Sequence, residues 1–135
     1  MPKIQKCHPD GVPTVSRQET TMADNTLTKP GSYDTLSQFQ KQMGQGPVVL
    51  FFWANWCQPC REQMEVMEKL VRVYSQVLTI FDVNIDNHPI LRDAYGIESI
   101  PTMVMLLNGK EITRQIGLTD QSTMNQLIVS RLSSR

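Results

Sequence analysis

The sequence predicts a single α/β domain, a central mixed sheet of about five strands flanked by four helices. Three observations carry that prediction. Apolar runs of strand length alternate with stretches whose apolar residues recur at helical spacing. Residues 48–53 read Val-Val-Leu-Phe-Phe-Trp, apolar at every position, as expected of a central strand covered on both faces. Asn108-Gly109 tolerates positive φ at both positions of a two-residue hairpin turn, and it lies between two apolar segments. Strand–helix alternation that closes with a hairpin and a helix makes the sheet mixed and puts helices on both faces.

The elements follow in order. A short strand is expected near residues 26–28. Ser32 reads as the cap of a helix carrying Tyr33, Leu36, Phe39 and Met43, which ends at Gly44 and Gly46. After the central strand, residues 61–74 form a helix with Cys60, Met64, Met67, Val71 and Tyr74 on one stripe. Residues 78–85 are a second long strand and residues 90–95 a short helix. Residues 102–107 and 112–116 pair across the hairpin. Asp120 caps a last helix whose Met124, Leu127, Ile128 and Leu132 face inward.

Composition sets the outer limits. The 135 residues suffice for one domain with a real core. Thirteen basic residues balance thirteen acidic ones, so no net field favours nucleic acid or an anionic membrane. Three cysteines are too few for a secreted disulfide scaffold. No apolar run approaches the roughly 20 residues that span a bilayer, and the start of the chain has no long apolar signal segment. Residues 1–24 hold Pro2, Pro9 and Pro13 with mixed charges and almost no apolar periodicity, so they read as a flexible extension before a domain at 25–135. The expected location is cytoplasmic. An organelle (mitochondrial) presequence is the alternative, given Lys3, Lys6 and Arg17, but Asp10, Glu19 and the prolines count against it.

Chemistry concentrates in Trp56-Cys57-Gln58-Pro59-Cys60. A strand that delivers a C-x-x-C to a helix start is a redox arrangement. Unpaired N–H groups and the positive end of the helix dipole stabilise a thiolate at Cys57. Cys57 should sit at the exposed edge, attack a substrate disulfide and form a mixed disulfide. Cys60, one turn on, should resolve it and close a Cys57–Cys60 disulfide. Pro59 suits a first helical turn, where its missing N–H costs nothing. Zinc ligation by this pair with Cys7 and His8 or His88 is the competing reading, though structural zinc sites usually need two well-spaced pairs. Cys7 otherwise reads as a free thiol, and His88 as an exposed loop residue before Pro89.

The chain resembles the thioredoxin family over roughly residues 26–132. Trp56 to Cys60 matches four of five positions of the family signature Trp-Cys-Gly-Pro-Cys. Trp53-Ala54, Asn84-Ile85-Asp86, Tyr95-Gly96-Ile97, Ile100-Pro101-Thr102, Asn108-Gly109 and Gly117 also resemble family sequence. The resemblance implies a thioredoxin fold and a protein-disulfide reductase with Cys57 as nucleophile. It implies no bound cofactor, since the redox centre is the cysteine pair itself. It also implies a cis peptide before Pro101, where residue composition alone favours trans. Ile100 would offer its backbone to an extended substrate, with Trp56, Gln58, Pro59, Ile116 and Gly117 around it. Expected partners are disulfide-containing proteins and a thioredoxin reductase or a low-molecular-weight dithiol, with no nucleic acid or membrane, and the protein acting as a monomer. The other class of function is a thioredoxin-fold binding or chaperone-like adaptor with incidental redox activity.

Three positions depart from the family. Phe51 stands where many members carry a buried Asp, and Asp82 where they carry a partnering Lys. Asp82 is therefore a candidate proton acceptor for Cys60, directly or through water, unless it merely ends a strand near solvent. Gln58 replaces the glycine between the cysteines, and with Pro rather than His at 59 the expected poise is reducing. Glu65 replaces a helix-kinking proline, so that helix is expected to run straighter.

Overall fold

The computed structural model describes residues 27–133, so the expected extension over 1–24, Cys7 and His8 lie outside the described residues. Four helices and four strands follow as α1 (Leu36–Met43), β1 (Pro47–Trp53), α2 (Gln58–Tyr74), β2 (Thr79–Asn84), α3 (Pro89–Ala94), β3 (Thr102–Leu107), β4 (Lys110–Ile116) and α4 (Gln121–Ser133). The sheet order is β2-β1-β3-β4. β1 and β2 are parallel, with Phe51 opposite Asp82, as the α2 crossover between them requires. β3 lies antiparallel to β1 and β4 antiparallel to β3. Asn108 and Gly109 turn that hairpin at φ 53° and 83°, the conformation their sequence advertised.

About five strands were expected, and the described residues form four. Thr28 makes only an isolated parallel bridge to Phe81, its N–H donating to Ile80 O at 2.9 Å and its carbonyl accepting from Asp82 N at 2.8 Å. Pro30 has no N–H to carry the pairing further.

Alternation along β1 divides the core. Leu50 and Phe52 face Phe39 of α1 and Leu91 of α3. Val49 and Phe51 face Met67 and Leu70 of α2 and Met124 and Ile128 of α4. Each such side chain, fully enclosed, contributes about 1.5–3 kcal/mol by leaving water. The six apolar residues at 48–53 are thus explained by helices on both faces.

Several boundaries differ from expectation. Thr35, not Ser32, caps α1, its hydroxyl accepting from Gln38 N at 3.3 Å. Tyr33 falls outside the helix and packs on Phe39, ring centroids 5.4 Å apart. On α2 the buried face is Cys60, Gln63, Met67, Leu70 and Val71, whereas Met64 and Tyr74 are half-buried. On α4 Met124 and Ile128 are buried, and Leu127 and Leu132 half-buried. His88 is half-buried at the N-cap of α3 rather than exposed in a loop, its Nδ1 2.7 Å from the Tyr33 hydroxyl.

Candidate active site

β1 ends at Trp53, and the backbone turns through Ala54, whose carbonyl accepts from Cys57 N at 3.2 Å. Cys57 is the N-cap of α2 with extended backbone, φ −102° and ψ 108°. Its carbonyl accepts from Cys60 N at 3.2 Å, which closes the first helical turn and brings the second thiol beside the first. Pro59 occupies that turn without loss of a hydrogen bond. Cys57 and Cys60 are joined as a disulfide with their Cα atoms 5.3 Å apart.

The Ile100–Pro101 peptide is cis and lies against this disulfide, the Ile100 carbonyl oxygen 3.9 Å from Cys57 Sγ. Pro101 O accepts from Gly117 N at 2.8 Å, so the loop after β4 joins the same surface. Trp56 donates through Nε1 to Asp86 at 2.9 Å, which fixes the indole beside the cysteines. The hydrogen bond from Gly117 and the Ile100 contact thus bring the disulfide, the Ile100–Pro101 turn and the end of β4 together.

Exposure within that region corrects the reading. Cys57 was expected at an exposed edge, yet it is 0% exposed, and Cys60 is 1% exposed. Both sulfurs lie in the apolar cluster that holds Ile100 and Ala54, with Trp56 packed against it. Pro59, Ile100, Pro101 and Gly117 are also buried, so they shape the surface rather than present it. Gln58 and Ile116 are exposed and Trp56 half-buried. Leu118, 40% exposed beside Ile116 at 54%, was missed. Its signal was present, because alternation about a buried Gly117 sends 116 and 118 outward together.

Asp82 does not end a strand at solvent. It lies inside β2, 7% exposed, two positions from Ile80 and so on the sheet face that α2 covers. Its Oδ2 accepts from Lys29 Nζ at 2.8 Å and its Oδ1 from Trp53 Nε1. The Thr28 bridge carries Lys29 to this position. Cys60 is held in the disulfide and has no thiol proton to donate, so the oxidised state contains no hydrogen bond from Cys60 to Asp82. An indole N–H and an ammonium each take one oxygen of the carboxylate, which leaves further lone pairs free to accept. Phe51, opposite Asp82 in the register, is completely buried in the α2–α4 layer. Neither Lys29 nor the role of Trp53 as a donor was foreseen.

No group of three or more potential metal ligands occurs among the described residues, and the two thiols of the C-x-x-C are bonded to each other. The family model described as Thioredoxin matches residues 32–130. The chain belongs to the thioredoxin family. Thioredoxin from Chlamydia caviae is 41% identical over 90 residues, 67% of this chain and 87% of its own length. Thioredoxin 1 of Nostoc is 33% identical over 86 residues, 64% of this chain and 80% of its own. Among solved structures, a single-substitution mutant of thioredoxin from Halobacterium salinarum aligns at a TM-score of 0.67 and 26% identity, over 83% of this chain and 95% of that one. This thioredoxin-family member is a thiol–disulfide oxidoreductase whose redox centre is the Cys57–Cys60 disulfide, without a cofactor. Members of the family act generally on protein disulfides and work with a thioredoxin reductase.

Proposed function

We propose that the chain reduces disulfides in protein substrates with Cys57 as the nucleophile and Cys60 as the resolving thiol. The position of Cys57 carries this reading: it caps the N-terminus of α2, and its sulfur faces the Ile100 carbonyl. Helix N–H groups and dipole favour a thiolate there over one a turn deeper. The Cys57 thiolate attacks one substrate sulfur, forms a Cys57–substrate disulfide and expels the other sulfur as a thiolate. Cys60 then gives up its proton and attacks Cys57 Sγ. That step expels the second substrate thiolate and closes the Cys57–Cys60 disulfide, so two electrons pass from enzyme to substrate.

The substrate chain lies against the Ile100–Pro101 turn, with Trp56, Gln58, Ile116 and Leu118 as its apolar and polar rim. Buried Pro59 and Gly117 set the backbone beneath that rim. The proton from Cys60 passes to Asp82 through water, because Asp82 is the buried carboxylate on the face that α2 covers. A thioredoxin reductase, or a low-molecular-weight dithiol, returns the disulfide to the dithiol.

Trapping tests the assignment. Reduced Cys60→Ser protein, mixed with a disulfide-bonded protein, should accumulate a mixed disulfide that peptide mass analysis places on Cys57. Linkage through another residue, or none, contradicts it.

A further inference from the structure

Gln63, on α2 one turn after Cys60, is completely buried on a helix face otherwise given to Met, Leu, Val and Cys. Its amide grips a single residue at both ends. Thr119 N donates to Gln63 Oε1 at 2.8 Å, and Gln63 Nε2 donates to Thr119 O at 3.0 Å. Nε2 also lies 3.7 Å from Met67 Sδ. An amide enclosed without partners is costly, so any slide of Thr119 that breaks both bonds is penalised. The loop it holds is short. Gly117, at φ 96°, donates to Pro101 O at 2.8 Å, and the Thr119 hydroxyl donates to Gly117 O at 2.9 Å. One end of the loop is thus tied to the cis-proline turn and the other to the helix that carries the cysteines. Between and beside those ties stand Leu118 and Ile116, 40% and 54% exposed.

We propose that Gln63 is a positioning residue for protein-disulfide reduction, holding Ile116 and Leu118 in register with Cys57 so that they capture the polypeptide around the target disulfide. The proposal rests on the reading of Cys57 as nucleophile and of 116–118 as docking rim. Gln63 touches neither substrate nor sulfur, so its effect depends on how much of the substrate needs the rim. A bulky protein disulfide needs it, and a small disulfide does not.

The test compares second-order rates of the reduced protein with insulin and with a small aromatic disulfide. Gln63→Met keeps the volume and removes both amide bonds. It should slow reaction with insulin about fivefold to tenfold, the effect of one net hydrogen bond. The small disulfide should change by less than about twofold on the same reasoning. Equal losses for both substrates, or no loss for either, overturn the proposal. Gln63→Glu supplies a second arm. Protonated, its carboxyl can accept from Thr119 N and donate to Thr119 O, and burial raises its pKa. Its insulin defect relative to wild type should therefore shrink as pH is lowered, and a defect independent of pH overturns the assignment. Wild-type protein that reduces the small disulfide but not insulin removes the docking reading itself, and the proposal with it.

Discussion

Replacing Asp82 by alanine should destabilise the oxidised protein by about 2–3 kcal/mol, and replacing it by asparagine by only about 1 kcal/mol. The difference follows from what each oxygen does. Alanine strands the Trp53 indole N–H, a half-buried donor whose loss of an acceptor costs about 1–3 kcal/mol. It also breaks the pair with Lys29, whose side chain is 75% exposed, so that contribution is about 0–1 kcal/mol. Asparagine keeps an acceptor for the indole and loses only the charge. Urea unfolding at neutral pH should separate the two variants by roughly 0.5–2 M in midpoint, given a slope of about 1–2 kcal/mol/M. Equal midpoints would refute the claim that the Trp53 bond dominates. The same asparagine variant reports on proton transfer. If Asp82 takes the Cys60 proton through water, the pH profile of disulfide reduction shifts in Asp82→Asn. An unchanged profile leaves Asp82 with a structural role alone.

Two further outcomes are expected. Equilibrated with millimolar glutathione, Cys57–Cys60 should stay largely oxidised, as a reducing poise with Pro59 and without His at that position demands; ready reduction, read by alkylation and mass, contradicts it. Stability should also fall as pH drops through the ordinary histidine range, partly because of His88. Burial lowers the His88 pKa and the Asp82 charge only partly restores it, so the unfolded state holds more protons between the folded value and about 6.5. Stability therefore rises with pH in that window and is lost below it. His88→Gln should flatten the dependence of unfolding free energy on pH there, and an unaltered slope refutes the assignment.

Much of the fold was legible because its signals are local. Periodicity located α2, α4 and the central strand, and Asn108-Gly109 located the hairpin. The α1 cap was legible too: Thr35 with Gln38 three residues on is a capping-box spacing, and it outranks Ser32. Past Thr28 the edge pairing stops at Pro30, which has no N–H to donate. The site was half legible. Spacing paired Cys57 with Cys60, and the family resemblance supplied the cis-proline. Burial of Cys57 could not be read, because it depends on packing with Ile100, far along the chain. The Lys29–Asp82–Trp53 and Gln63–Thr119 links are equally non-local, and nothing in Gln63's neighbours marks a polar residue as enclosed.

The proposed mechanism divides the labour of reduction between two cysteines. Turnover of insulin reduction with dithiothreitol as recycling reductant measures it most directly, in wild type, Cys57→Ser and Cys60→Ser. Wild type should catalyse, Cys57→Ser should add nothing to the rate with dithiothreitol alone, and Cys60→Ser should turn over only as fast as dithiothreitol releases its mixed disulfide, well below wild type. Sustained turnover by Cys57→Ser would contradict the account.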